Sequence, residues 1–531
     1  MARARRTIRW RLPPRRSPLL LLAGWLVLTA TLAWRPLMPI DETRCVSVAW
    51  EMYQSGDYFL PRLNGEPYTH KPPFLYWLII LGWRLGGVTA WWPRLLPPLF
   101  SLGTLLLTAR LARRLWPSES HAAGAAPLLL LGTALWAFFT TVLLYEMVMI
   151  FFVLLALLCY IAAWRTGRLF AWLAAAAALG TAMLAKGAVA LIPAAGVLLL
   201  LPWCVPAPGR QRLHRWYGGV VASGALALLI GFSWLGAAAV RQGGGFLWAS
   251  LHDQYLGRVV HSFDHPHPCW WYLALLPAAL FPWSGHLGWW RHWRNLRLAD
   301  GGSRLCLAWI VPSLVVFSLI SGKQLYYLLC LLPAFALLAA HLWQPAAGRR
   351  WDTLPAAAVI ALAGVALLVL PTQAGSFGIP RALGNLDPAA GLLVLVIAVL
   401  LLYGGSTRCG VAAVAGAVVA ILAVTVCLVF APLRPAYDLR PTARLLAQCE
   451  REGRPLAHAG KYYGEYHFLG RLSRPFAVVT PSGVAAWLAA HPGGRAVIIT
   501  RNPAALAAAG YSLEHLQPYG SRYAAVVKEA H

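Results

Sequence analysis

Apolar runs of helical-span length, separated by short basic or polar segments, recur along the chain as far as about residue 431. About twenty apolar residues in helix cross the hydrocarbon core of a bilayer. Spans are therefore expected at about 18–38, 91–112, 122–141, 147–164, 168–185, 187–204, 216–240, 269–290, 304–320, 325–343, 354–372, 389–405 and 411–431, roughly thirteen in all. From about residue 432 the pattern changes. DLRPTARLLAQCEREGRP has the period of an amphipathic helix, FAVVT and AVIIT read as short strands, and PSGVAAWLAAH and NPAALAAAG read as helices. The fold class predicted is an all-α polytopic membrane protein, 1–431, with a small α/β domain of ~100 residues at 432–531.

One apolar run is ambiguous. Residues 72–88, PPFLYWLIILGWRLGGV, are long enough to cross. If they crossed, RLARR after the next span would fall outside, against the tendency of Arg and Lys to stay cytoplasmic. With 72–88 lying in the interface, RLARR and every later basic flank fall inside, and the C-terminal domain falls outside.

The most polar part of the membrane region is 39–73, PIDETRCVSVAWEMYQSGDYFLPRLNGEPYTHKPP. Val46, Ala49, Trp50, Met52 and Tyr53 give it a short amphipathic pattern suited to a helix on the membrane surface, before turn residues at SGD and NGEP. The outer segment as a whole covers 39–90.

Composition narrows the class. With 59% hydrophobic residues and 26 Trp among 531, the chain is too apolar for a soluble globular protein. The net charge of +27 does not point to nucleic acid, because the arginines sit at helix ends. Nine cysteines, scattered mostly through apolar helix, form neither a disulfide framework nor a zinc motif. The basic N-terminal segment resembles a signal peptide, but the run ends in WRPLMPIDE without a small-residue cleavage site, so it reads as an uncleaved first span.

Charge near a bilayer marks candidate chemistry. Lysine is rare, with Lys71, Lys186, Lys323, Lys461 and Lys528 making the full set, and the first three stand at outer helix ends in HKPP, AKGA and SGKQ. They read either as cations converging on a phosphate or as side chains reaching for headgroups. Asp41 and Glu42 end the first span, and Glu146 lies in the short connection LLYEMVM. Glu51, Asp57 and Glu66 read as solvated loop residues. The long outer loop 241–268 adds Arg241, His252, Asp253, Tyr255, Arg258, His261, Asp264, His265 and His267. Its HSFDHPHP run has metal-ligand chemistry but no strict metal spacing. Carboxylates, cations and aromatics meeting on one wet face suit a membrane-held donor with a phosphate leaving group. A single displacement at the sugar carbon would invert the anomeric centre.

These residues resemble the first outer loop of the C-type membrane glycosyltransferases of the protein mannosyltransferase superfamily, on the branch of the bacterial aminoarabinose lipid A transferases. The shared elements are Asp41-Glu42, Ser55-Gly56-Asp57, Pro61 with Asn64-Gly65, Lys71-Pro72-Pro73 and Tyr76-Trp77, then Lys186-Gly187, HPHPCWWYL through FPW at 265–283, and SGKQLYYLLCLLPAFALL at 321–338. The resemblance implies sugar transfer from a polyprenyl-phosphate donor such as undecaprenyl phosphate, on the periplasmic face of the inner membrane, to lipid A or another envelope glycan or lipid. It implies Asp41 as the central carboxylate with Glu146 as a second acid. It implies Lys71 near the donor phosphate; Lys186, Arg258 and Lys323 are read as further phosphate contacts, and Glu42, Arg44, Tyr68 and Tyr326 as substrate contacts. His70 stands where the relatives often have Glu, and Glu146 is longer than their usual Asp. A divalent metal ion on His70, His265 and His267 is thus an expectation of changed character, and the sugar stays open. Protein O-glycosylation is the enzyme alternative. A transporter or lipid flippase is the alternative from another class, for which charges near the bilayer midplane and two-half symmetry would be expected.

Overall fold

The computed structural model describes residues 16–206, 213–242, 266–343, 349, 351–375, 381–404 and 410–529. Eight helices among them are long and apolar enough to cross a membrane: Trp91–Leu115, Glu146–Thr166, Leu169–Lys186, Leu213–Arg241, Gly301–Leu319, Leu325–Leu342, Leu354–Gln373 and Gly410–Val429. The chain is a multi-pass membrane protein.

Two of the expected continuous spans are broken. The run at 122–141 forms two helices, Ser120–Leu131 and Ala134–Thr140, that meet at 69°. The break falls at Gly132-Thr133. A Cβ on Gly132 would lie 2.8 Å from the Cα of Ala415, so glycine lets the bend sit against the helix 410–424. The run at 269–290 also breaks, into Trp271–Ala279, a single 3-10 turn and Leu287–Trp293. Pro277 and Pro282 remove two backbone donors there, so one helical ladder cannot run through. Apolar length predicts that a segment is in the membrane, but not that it is straight.

Near the outer face the order is α1 (Arg16–Ala30), α2 (Asp41–Ser55), α3 (Phe74–Gly86), α4 (Trp91–Leu115), α5 (Ser120–Leu131), α6 (Ala134–Thr140), α7 (Glu146–Thr166) and α8 (Leu169–Lys186). At 13 residues, α3 is about 20 Å long, short of the ~30 Å hydrocarbon core. The hairpin β1 (Arg62–Leu63) and β2 (Glu66–Pro67) lies between α2 and α3. Glu51 accepts the backbone N–H of Asn64 (2.6 Å) and Gly65 (2.9 Å), so it caps this hairpin rather than standing in solvent. Asp57 likewise pairs with Arg241.

The C-terminal segment forms a five-stranded mixed sheet in the order β4-β3-β5-β7-β6. Its strands are β3 (Leu456–Ala459), β4 (Ala477–Val479), β5 (Arg495–Thr500), β6 (Tyr511–Tyr519) and β7 (Arg522–Glu529). FAVVT and AVIIT supply β4 and β5, and the helices expected around them form at Arg440–Arg451, Val484–Ala490 and Ala504–Ala508. Alternation along β5 and β7 feeds two cores. Val497 and Val526 pack under Leu446 and Tyr466, while Ala496, Ile498, Ala525 and Val527 pack under Val484 and Leu488.

The apolar stripe of α2 does not face lipid. Trp50 meets Trp83 of α3 and Phe468 edge-on, and Trp83 stacks on Phe468 at 5.1 Å. The Arg471 guanidinium lies 3.9 Å from the centre of the Phe468 ring. Ser47 Oγ donates to the Gly464 carbonyl (2.6 Å) and accepts from the Phe468 N–H (3.2 Å). Trp50 Nε1 donates to the Leu472 carbonyl (2.9 Å), and Asn64 exchanges two hydrogen bonds with the backbone of Phe476. Gly464 has φ +80°, and a Cβ there would sit 2.7 Å from Leu63, so only glycine fits this contact.

His467 fixes the docked turn. The Tyr462 hydroxyl accepts the N–H groups of Tyr466 and His467 and so donates to Nδ1 of His467 (2.7 Å), leaving Nε2–H to donate to the Arg474 carbonyl (3.2 Å). Burial pushes the His467 imidazole down to about 4 from 6.5. Its contribution to stability is complete above about pH 6.5 and is lost as pH falls toward 4. Proteolytic protection of the 440–529 segment should decline across that window, and His467→Gln should flatten the decline. A wild-type profile that is flat between pH 7 and 4.5 would contradict this role.

Candidate functional site

The site starts at a buried ion pair. The chain leaves α1 through Arg35, whose guanidinium meets the Glu42 carboxylate with two 2.7 Å hydrogen bonds. Glu42 also accepts the N–H of Met38 (2.8 Å) and of Leu143 (2.7 Å). Four donors use all the lone-pair sites of a carboxylate. Burial alone would raise the Glu42 pKa, but Arg35 and the two amides hold it below the usual carboxylate range. Arg35 further donates to the Thr141 carbonyl, and Arg94 of α4 donates to the carbonyls of Leu32 and Arg35. Glu42, expected at the substrate, is instead a clamp joining α1, α2 and the 141–145 connection. Leu143 and Thr141 contribute backbone groups only, so nothing in their residue types signals it.

That clamp turns Asp41 outward. Asp41 stands in the first turn of α2, where the helix dipole favours an anion, and its side chain is 63% exposed. Arg44 pairs with it one turn on and lies 6.0 Å from the Tyr463 ring centre. Arg44 also lies within electrostatic range of Tyr68, Tyr76 and Tyr145. The Tyr76 and Tyr145 hydroxyls share a 2.6 Å hydrogen bond, and the Lys71 ammonium sits 5.7 Å over the Tyr145 ring. His70 stacks on Tyr68 at 5.0 Å.

Tyr145 leads directly into Glu146 at the start of α7. Glu146 pairs with Lys186 at the end of α8, both side chains being only 3% exposed. The Lys186 ammonium lies 4.5 Å from the Tyr326 ring and 4.8 Å from the Tyr327 ring. The second oxygen of Glu146 is buried and makes no hydrogen bond among the described residues. Lys71 thus lies against Tyr145, whose chain neighbour Glu146 carries Lys186 and, through it, Tyr326, while Asp41 and Arg44 pair at the start of α2.

Lys323 does not join it. Its ammonium directs two of three donors to the carbonyls of His267 (2.9 Å) and Ile320 (2.6 Å), stapling the bridge between Pro266 and Gly322. His267 lies flat on Trp271 at 4.3 Å. Arg258 and His265, with His252, Asp253, Tyr255, His261 and Asp264, lie outside the described residues. Among the described residues no three His, Cys, Asp or Glu side chains gather as metal ligands. Of the three expected ligands, His70 stacks on Tyr68 and His267 on Trp271, and His265 lies outside the described residues.

The sequence reading missed the 461–466 turn. Tyr463 lies near Arg44, Lys461 lies near the Tyr463 ring, and Glu465 is buried. The signal was present in KYYGEYHF, which holds one of only five lysines among closely spaced tyrosines.

Residues 70–235 match the family model for dolichyl-phosphate-mannose-protein mannosyltransferase. The chain is 32% identical over 342 residues to undecaprenyl phosphate-alpha-4-amino-4-deoxy-L-arabinose arabinosyl transferase 1 of Pseudomonas fluorescens, a match covering 62% of this chain and 58% of the relative. It is 30% identical over 341 residues to the corresponding transferase of Erwinia tasmaniensis, covering 62% and 59%. The chain thus spans under two thirds of the length of these curated relatives. The crystal structure of ArnT from Cupriavidus metallidurans bound to undecaprenyl phosphate superposes with a TM-score of 0.76 at 21% identity, over 96% of this chain and 97% of that one. The apo structure of the same protein gives 0.74. The fold is that of ArnT. The sequence is similar to those of the aminoarabinose transferases.

Removing one partner of the Arg35–Glu42 pair leaves a buried charge, a loss of about 3–5 kcal/mol. Glu42→Gln and Arg35→Ala should each lower the melting temperature of the detergent-solubilised protein sharply. The double variant Arg35→Met/Glu42→Leu should melt above either one. A Glu42→Gln protein as stable as wild type would remove the clamp.

Proposed function

We propose that the protein is an inverting glycosyltransferase that moves a sugar from a polyprenyl-phosphate carrier to lipid A or another envelope acceptor at the periplasmic face of the inner membrane. The observation that carries this reading is the exposed Asp41 carboxylate, set beside Arg44 next to the Glu42 clamp within an ArnT-like fold. The names of the relatives and the carrier in the matched crystal structure support the donor class.

In this reading the acceptor oxygen attacks the anomeric carbon opposite the carrier. The carbon–oxygen bond to phosphate breaks, and the polyprenyl phosphate departs with the added negative charge. Lys71 stabilises that charge. A hydroxyl acceptor would give its proton to Asp41, whereas an already ionised phosphate would only need Asp41 to orient it. Glu146 and Lys186 enter as a neutral pair, so they shape the inner wall of the site and bring no net charge to it.

The topology proposed has thirteen spans. To the eight long helices it adds the bent pair 120–140, the broken segment 271–293 and three 17-residue helices, Ser17–Ala33, Ala188–Cys204 and Pro388–Gly404. Each of the three is about 26 Å long, near the lower limit for a span. The segment 432–531 is then a periplasmic domain.

Asp41→Asn should abolish transfer from a labelled undecaprenyl-phosphate sugar to lipid A in liposomes, a loss of about 10²–10⁴-fold, with insertion and melting temperature unchanged. Full activity in that variant would overturn the carboxylate assignment. Lys71→Ala should weaken donor binding by about 10–100-fold, the loss of one charge-assisted contact. Unchanged donor affinity would remove Lys71 from the phosphate.

A further inference from the structure

A cavity of about 460 Å³ opens where the last membrane helix, Gly410–Val429, passes into the C-terminal segment. None of its lining residues belongs to the site described above. Its walls are the Ala431–Ala436 turn, the segment 438–441 and β6, the edge strand of the sheet. The volume is that of a small-molecule site. Buried Gln517 of β6 fixes the strand against the turn, donating to the Asp438 carbonyl (2.6 Å) and accepting the Thr442 N–H (3.2 Å). The Gly520 N–H adds a bond to the Ala436 carbonyl (2.9 Å). The cavity is therefore preformed.

Its depth is set by the helix before it. Gly410–Val429 has 20 apolar-rich residues, enough to cross the hydrocarbon core, so Ala431 emerges at the level of the lipid headgroups. Phe430 packs on Tyr437 at 5.4 Å, placing a tyrosine at the level where such rings collect.

Arg434 and Asp438 both line the cavity but are not partners. Both carboxylate oxygens of Asp438 accept from Arg440. Burial would raise the Asp438 pKa, but the Arg440 hydrogen bonds hold the carboxyl below the usual carboxylate range. Arg434 is exposed and makes no ion pair among the described residues. One uncompensated guanidinium thus stands among the apolar faces of Pro435, Pro441, Leu516 and Pro518.

We propose that this cavity binds the headgroup of an anionic glycerophospholipid of the bilayer. Arg434 meets the phosphate, the glycerol lies against the proline-rich wall, and the acyl chains run beside the last membrane helix. A zwitterionic headgroup fits less well, because its ammonium finds Asp438 already taken by Arg440. A soluble anion gains the Arg434 contact but has no chains to seat in the membrane. The bound lipid bridges the last span and the edge strand. Arg434 and Arg440 also lie within electrostatic range of Arg94, which holds the carbonyls of Leu32 and Arg35 behind the Glu42 clamp. A phosphate at Arg434 therefore relieves repulsion among these arginines as well.

The test uses the full chain in detergent, stripped of lipid, with short-chain phosphatidylglycerol as the probe and the melting temperature as the readout. Phosphatidylglycerol should raise the melting temperature saturably, whereas diacylglycerol of the same chain length and glycerol 3-phosphate should not. Phosphatidylcholine should need about tenfold more lipid for half-saturation, and Arg434→Ala should raise the half-saturating phosphatidylglycerol concentration about tenfold, as expected for one charge-assisted contact. Arg434→Lys should restore it. An equal shift from diacylglycerol, or an unchanged half-saturation in Arg434→Ala, overturns the site. An equal shift from glycerol 3-phosphate overturns the lipid as occupant, and an equal response to phosphatidylcholine overturns the anionic headgroup. If Arg434→Ala does not fold, native mass spectrometry of the wild type decides: one phosphatidylglycerol retained in preference to diacylglycerol supports the site, and no such preference overturns it.

Discussion

A carboxylate sealed from water and surrounded by four donors holds the outer face together. Glu42 connects the exit of the first span, the start of α2 and the 141–145 connection, and those three elements carry Asp41, Arg44, Tyr145 and Glu146. Such a pair is worth little as net stability, because desolvating both charges offsets most of their attraction. Its value is geometric. With every lone pair of Glu42 engaged, the backbone at 41–44 has one orientation, and the neighbouring acid must face outward.

The same economy of charge runs through the site. Glu146 meets Lys186, Asp41 meets Arg44, and Lys71 and Lys186 lie over tyrosine rings. Each of these charges has a partner of opposite sign or an aromatic face, as the low dielectric near a bilayer favours. A charged ligand entering this arrangement does not fill a bare field. It competes with partners already in place, so binding depends on how readily each pair loosens. The exposed Asp41–Arg44 pair is the easiest to part and the sealed Glu146–Lys186 pair the hardest.

Much of this was legible in the chain. Apolar length located the membrane segments, and rare charges beside them marked Asp41, Lys71, Glu146 and Lys186. What stayed hidden depended on backbone groups, which carry no residue signature. Glu42 and Lys323 looked like candidates for substrate, yet half the donors to the one are backbone amides and the partners of the other are carbonyls. The breaks at Gly132 and after Ala279 were hidden because a window of apolar residues has length but no direction. The hairpin β6–β7 was missed because its first strand, YSLEHLQPY, carries a bulge between Leu513 and His515 that breaks the alternation. The docking of the C-terminal segment was missed for the reason that hid Glu42: Ser47, Trp50 and Asn64 find carbonyls and amides, not side chains.

Those docking contacts also set an order of events during synthesis. Ser47 emerges 417 residues before the Gly464 carbonyl that it binds. At ribosomal rates of about 5–20 residues per second, that separation is roughly 20–80 s. Throughout that interval α2 is already at the membrane, with Ser47, Trp50 and Asn64 waiting for partners not yet made. The charged edge that bears Asp41 is therefore finished late, when the distal turn arrives and settles on it. A nascent chain halted between the two would have its membrane helices in place and an incomplete working face.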